Sequence, residues 1–303
     1  MTMKFTQRIK VYLQQVLTPD IAAETTRRMK NALRREQLLQ QVLHEQEAGV
    51  QLHNESKHPF IVSMTTHGDR LHEACLAIES IMQGTVKPNT IVLWLDENDT
   101  RPLPVTLQRQ MKRGLQVLRT RDIRSYTKLL PALTQFPEAH IVTIDDDIFY
   151  PHDFLEALLA SHANDPKAIV ANMVMQLSRD SEGFPVGILE WPYLQEQPTD
   201  GITRDLFFEG FGGVLYPAGC FSDEVFNEQV FKDICPTADD VWFNALARLS
   251  GTPILICQRA PYDFIEAANV ACQSTALHLI NNSDNRNDRQ LRAVWQHFHL
   301  QGQ

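Results

Sequence analysis

Apolar residues recur along this chain in two alternating rhythms. Short β-rich runs at Phe60–Thr65, Thr90–Leu95, Leu115–Leu118, Ile141–Ile144, Ala168–Met175 and Pro253–Cys257 predict strands. Between them the period lengthens to that of a helix. Leu71, Ala74, Cys75, Ile78 and Ile81 share one helical face, with Asp69 as the expected cap and Gly84 as the stop. Further helices are predicted over 104–113, 126–136, 152–163, 238–250 and 289–298, the fourth capped by Thr237 and closed by Gly251. Such alternation predicts an α/β fold, a mainly parallel sheet with helices on both faces.

Two stretches depart from this rhythm. Ahead of the first strand, Phe5, Ile9, Tyr12, Leu13, Val16 and Leu17 sit at helical spacing among Lys4, Arg8 and Lys10. Thr18-Pro19 is expected to break this helix, and a polar second helix is expected from Asp20 to Glu47. Residues 1–55 therefore form a helical appendage and 56–303 the globular domain. Residues 178–206 are polar and too long for an ordinary connection, which predicts a functional loop or lid.

At 43% hydrophobic and 21% charged, the 303 residues suffice for one large domain with an appendage. The formal charge of −9 argues against a nucleic-acid partner. It is unevenly spread: residues 1–35 carry a net +6, leaving −15 for the rest. The basic helix suits contact with an anionic membrane surface, or else packing on its own domain or a second copy. No apolar run of membrane-spanning length occurs. Five cysteines, 75, 220, 235, 257 and 272, form no C-x-x-C pair and read as reduced thiols. The expected location is cytoplasmic, extending to the inner membrane face if the basic helix binds there.

Candidate chemistry concentrates in AHIVTIDDDIFYP (139–151), where a buried strand ends in Asp145, Asp146 and Asp147. Three adjacent carboxylates repel one another unless something positive sits among them, and a divalent cation with oxygen ligands is the simplest answer. The strand's carboxyl end is where α/β proteins bind ligands. A second acidic pair, Asp239-Asp240, opens the helix of CPTADDVWFNALARLSG. There, acids could merely complement the helix dipole, or supply a general base beside a metal site. FFEGFGGVLY (207–216) is glycine-rich, but Leu215 takes the third position of G-x-G-x-x-G and no Walker lysine is present. Its glycines allow close backbone approach to a ligand, or mark a β-bulge.

Taken in order, IVSMTTHGDR, SIMQGTVKPNTIVLWLDEND, SYTKLLPAL, VTIDDDIFYP, FGGVLYP and TADDVWF resemble the motif series of family 2 glycosyltransferases, which have the Rossmann-like GT-A fold. The string is still more similar to bacterial polysaccharide and lipopolysaccharide sugar transferases. The likeness covers about residues 60–265. It departs in two places: Asp239-Asp240 stands for a Glu-Asp pair, and Lys128 lacks a preceding glycine. It implies a nucleotide-sugar donor held by Thr65, Arg70, Asp96, Lys128, Asp145 and Asp146. It also implies Mn²⁺ or Mg²⁺ on Asp147 and Asp145, with His278 as a further candidate ligand. Gly212 and Gly213 would lie in the loop facing acceptor or donor sugar. Asp240, with Asp239 next, would be the base for inverting transfer to a glycan or glycolipid hydroxyl; a retaining mechanism stays open. Two other readings remain. One is a haloacid-dehalogenase-like phosphatase, disfavoured by the four strands ahead of the acidic triple. The other is a non-catalytic GT-A scaffold, disfavoured by two intact carboxylate clusters.

Overall fold

A computed structural model describes residues 5–51, 58–198, 205–258, 269 and 286–302, with side chains from residue 22 onward. Seven strands form one sheet: β1 (Phe60–Thr65), β2 (Thr90–Asp96), β3 (Leu115–Thr120), β4 (His140–Thr143), β5 (Ile169–Gln176), β6 (Leu206–Tyr216) and β7 (Ile254–Ile256). Their order is β3-β2-β1-β4-β6-β5-β7, and β6 alone runs antiparallel to its neighbours. This is the expected α/β architecture.

Alternate residues of each strand enter different cores because successive side chains of a strand point to opposite faces. Ile61, Val92, Ile141 and Val214 face α4 (Leu130–Gln135), α6 (Glu228–Ile234), α7 (Asp239–Leu249) and α8 (Arg286–His297). Val62, Leu93, Val142 and Leu215 face α2 (Ala74–Met82), α3 (Val105–Met111) and α5 (Phe154–His162).

That second face also receives the end of α1 (Phe5–His44). Leu38 and Val42 of α1 are fully buried beside α2 and α3. Arg109 donates to the Leu43 carbonyl at 2.7 Å, and Arg113 Nε to that of Glu47 at 2.8 Å. Arg113 is itself buried against Glu79, 2.8 Å away. The expected break at Thr18-Pro19 is absent, and α1 runs through both residues. Proline forfeits one backbone hydrogen bond and strains the preceding turn, which bends a helix more readily than it ends one flanked by helix-forming sequence.

Three other expectations need correction. The helix expected over 126–136 is divided into a 3-10 turn, Arg124–Lys128, and α4, with Pro131 in α4's first turn. Asp69 caps nothing: it lies in a 3-10 turn, Gly68–His72, and α2 begins at Ala74. Thr237 is not the cap of α7, which begins after Ala238 without a side-chain cap. Thr237 instead pairs with Gln290 of α8, its N–H on Oε1 at 3.0 Å and its hydroxyl accepting from Nε2 at 3.0 Å.

The glycine-rich stretch is strand, not loop. β6 spans it whole, and the register slips between Ala171 and Met173, a β-bulge. The described part of the long segment after β5 is anchored by side chains: Trp191 is buried, Arg179 pairs with Asp205 at 2.8 Å, and Arg292 of α8 reaches Asp180 at 3.1 Å.

Candidate functional site

Parallel register brings the carboxyl ends of β1 and β4 side by side, with Ser63 opposite Thr143. The acidic triple begins two residues past β4. Antiparallel β6 runs alongside, Val214 opposite Thr143, so its earlier residues extend past the end of β4.

Each acid of the triple has its own partner. Asp146 is buried and accepts from Thr66 Oγ1 at 2.6 Å and from Arg70 Nε at 3.0 and 3.1 Å. The same guanidinium reaches Asp147 at 2.9 Å. Asp145 pairs with Lys128 Nζ at 3.0 Å. Its N–H donates to Tyr150 Oη at 2.9 Å, and that hydroxyl donates to the Phe211 carbonyl at 3.2 Å. Two cations of the chain itself therefore sit among the acids, where the sequence alone suggested a metal.

Lys128 gathers the rest of the site. It is buried where the 3-10 turn ends, and its carbonyl accepts from Ser63 Oγ at 2.5 Å. Ser63 Oγ in turn accepts from Trp94 Nε1 at 2.9 Å. Besides Asp145, the ammonium lies 3.5 Å from Asp239 Oδ2 at the start of α7. Burial alone would push its pKa down, but Asp145, Asp239 and Asp240 outweigh that and hold it well above the ordinary lysine value.

The start of α7 is tied to β6 by Asn244. Its Nδ2 donates to the carbonyls of Asp240 and Phe208, both at 2.8 Å, and its Oδ1 accepts from Phe208 N at 3.0 Å. Gly210 then lies against Asp240 and Lys128. A Cβ there would stand 2.7 Å from Asp240 Oδ1 and 2.9 Å from Lys128 Nζ, so only glycine fits without displacement. Asp239 Oδ2 and Asp240 Oδ1 are buried without a hydrogen-bond partner. Burial and the Asp239 charge push the Asp240 carboxyl well up; Lys128 and the Gly210 N–H oppose them. Burial raises Glu209 too, against the Tyr193 hydroxyl, which donates to it at 2.5 Å.

The structure thus brings Arg70, Lys128, Asp145, Asp146, Asp147, Asp239 and Asp240 into one linked cluster. Thr65 and Asp96 end neighbouring strands at the same sheet end, but their bonds are local: Thr65 Oγ1 to the Trp94 carbonyl at 3.1 Å, Asp96 from Asn98 N–H at 3.0 Å. Gly212 and Gly213 work against protein atoms. Added Cβ atoms would meet Met173 at 2.3 Å and the Phe154 ring at 2.4 Å, and Gly213 has φ +86°. His278 lies outside the described residues. Thr66, Tyr150, Gly210 and Asn244 were not anticipated as site residues. Tyr150, a bulky aromatic three residues past the triple, carried the one usable signal.

Among the described residues, no three His, Cys, Asp or Glu side chains converge as a metal cage would. A hard cation that keeps waters and takes one or two carboxylates plus phosphate oxygens needs no such cage. Asp145 and Asp147 fit that demand. Burial and the Asp145 charge raise the Asp147 carboxyl against the pull of Arg70, so further positive charge would be welcome there.

No protein-family model matches this chain, and no curated protein matches it in sequence. Among solved structures it is similar to a CMP:2-keto-3-deoxy-manno-octonic acid synthetase complexed with CTP, at 11% identity and a TM-score of 0.37. That match covers 74% of this chain and 98% of the other. So distant a likeness says nothing of this chain's ligand.

Proposed function

We propose that the chain is a metal-dependent glycosyltransferase of the GT-A kind, moving a sugar from a nucleotide-diphosphate donor to a glycan or glycolipid hydroxyl. One observation carries the reading: Lys128 lies between Asp145 and Asp239, joining two carboxylate clusters far apart in sequence around one ammonium. A metal-and-phosphate site and a general base must lie this close for a single displacement.

In this reading Asp147 and Asp145 hold Mn²⁺ or Mg²⁺. When bound, the cation neutralises charge on the leaving diphosphate. Arg70 and Asp146 serve the donor through each other, fixing the turn that carries Asp147. Thr65 and Asp96 border the nucleotide. Lys128 pairs with Asp145 and adds positive charge near the phosphates. Asp240 takes the acceptor's proton; its raised affinity for protons suits a base better than an ordinary surface carboxylate would. The resulting single displacement inverts the anomeric carbon.

A thermal-shift screen of nucleotide diphosphates and nucleotide sugars, with and without Mn²⁺, tests the donor assignment, since a ligand of the folded state raises the midpoint. Mn²⁺-dependent hydrolysis of one nucleotide sugar supports the reading. Phosphate release from sugar phosphates without any acceptor replaces it with the phosphatase alternative. Binding without turnover leaves a scaffold.

A further inference from the structure

A line of hydrogen bonds runs from α1 to the acidic turn, and the proposed chemistry does not use it. Arg35 of α1 grips Glu73 with both arms of its guanidinium, Nη2 on Oε1 at 2.6 Å and Nε on Oε2 at 3.2 Å. Asn269 Nδ2 donates to the same Oε2 at 2.9 Å. The Asn269 N–H donates to the Asp147 carbonyl at 2.6 Å. Asn269 is 1% exposed, so this junction is shielded from water.

Glu73 also stands beside a second route. It follows directly on the 3-10 turn that carries Arg70, and its N–H donates to the Arg70 carbonyl at 2.9 Å. Arg70 holds Asp146 and Asp147. Glu73 therefore bears on the acidic turn through Asn269 on the backbone side and through Arg70 on the side-chain side. Burial works against its charge, but Arg35 and Asn269 prevail and keep its carboxyl below the usual range, so it is present as a carboxylate at neutral pH.

We infer that Glu73 and Asn269 are positioning residues for Asp147, and that Arg35 makes the docking of α1 part of that positioning. A displaced α1 removes the fork from Glu73. Glu73 then loses the restraint that aims it at Asn269, and the Asp147 backbone loses its anchor. The effect on sugar transfer rests on the proposed role of Asp147; the ordering of the turn does not.

Hydrogen exchange of the full-length protein reads that ordering without any ligand. The reporters are the amides of Ile144, Asp145 and Tyr150, bonded to the Ser63 carbonyl, Tyr150 Oη and Ser80 Oγ. Asn269→Ala, Glu73→Gln and Arg35→Ala should each speed their exchange about tenfold, the scale of one lost buried hydrogen bond. Arg35→Lys keeps the charge without the fork and should fall between parent and Arg35→Ala. The double variant Arg35→Ala/Asn269→Ala should exceed the larger single effect little, because both cut one line. Unchanged exchange in both Arg35 variants, unchanged exchange in Asn269→Ala, or fully additive effects overturns the inference. A second readout is the affinity for Mn²⁺ with uridine diphosphate, which should weaken in the same order. If the parent binds no nucleotide with Mn²⁺, the proposed function fails while the exchange result still decides this one.

Discussion

Lys128 is the residue whose removal the site could least absorb. It balances Asp145 at 3.0 Å and Asp239 at 3.5 Å from a buried position. Lys128→Met keeps most of the volume and leaves carboxylates facing one another. Loss of one partner of a buried ion pair costs about 3–5 kcal/mol, so the urea midpoint should fall by that equivalent, with transfer lost as well. A midpoint within about 0.5 kcal/mol of the parent would show that water already screens the site. Asp239 and Asp240 occupy adjacent first-turn positions, about 100° apart around the axis. Asp240→Asn should lower kcat by about 10²–10⁴-fold with donor binding nearly unchanged, and Asp239→Asn should act more on acceptor KM. The reverse pattern in steady-state kinetics would exchange the two roles. These acids were legible in the sequence because carboxylates cluster conspicuously at a strand end and a helix start. What neutralises them was less so. Arg70 and Lys128 appeared as donor ligands, and only folding shows that they are spent on Asp146, Asp147 and Asp145. Gly210 was obscured by Gly212 and Gly213: three glycines in one run look alike until the strand's bulge sets Gly210 against Asp240 and Lys128 and the other two against Met173 and Phe154.

At the scale of elements, the hydrophobic rhythm foretold six of the seven strands to within a few residues, because the inner ones are buried on both faces and read as apolar runs, and it missed β6, whose glycines interrupt the pattern. It could not reveal that β6 runs antiparallel, since direction leaves no trace in a strand's composition. Helix starts were read less well, for Asp69 and Thr237 looked like caps and serve otherwise. α1 illustrates the limit of local rules. Its proline looked like a stop, yet the helix runs through it, and Leu38, Val42 and Arg35 dock its far end on α2 and α3. Leu38→Ala should therefore destabilise the whole domain by about 2–5 kcal/mol in one cooperative urea transition, as a core substitution does. A separate early transition, with the main one unmoved, would make α1 an independent appendage. Exposed Met29 and Leu33 on α1 lie among Arg28, Lys30 and Arg34. We propose this as the part of α1 that meets an anionic surface. Changing Arg28, Lys30 and Arg34 together to Gln should weaken cosedimentation with phosphatidylserine vesicles at low salt, by about 1 kcal/mol per charge near the surface. Equal pelleting of parent and variant would leave α1 with packing alone.

Across the whole molecule, the two ends of the sheet carry opposite electrostatic problems. Carboxylates crowd the carboxyl end, whereas histidines gather where β1 and β4 begin. His140 opens β4, stacks on Phe60 at 4.9 Å between ring centres, and meets His162 at 4.7 Å and His58 at 5.4 Å. Its Nδ1 accepts the Ala218 N–H at 3.3 Å, a bond that the neutral ring can make and the imidazolium cannot. Burial, with His162 and His58 behind it, lowers its pKa from 6.5 to about 4. A folded-state value below the unfolded one means that the fold favours the neutral ring. The associated stability is complete above pH 6.5 and drains away as pH falls toward 4. The other end works in the opposite sense: Asp147, Asp240 and Glu209 have raised values, so their burial costs least at low pH and most as pH rises through those values. The total pH profile mixes the two, and a difference between variants isolates the histidine. His140→Phe preserves the ring stack but leaves the Ala218 N–H unpaired, so at pH 7 it should unfold at lower urea than the parent. Between pH 6.5 and 4.5 the parent should lose stability faster, and the gap should narrow. Midpoints that run parallel over that range would remove His140 as the source of the acid limb. Affinity for Mn²⁺ with uridine diphosphate at pH 7 should be the same in both proteins, because the substitution lies at the opposite end of the strands from the carboxylates.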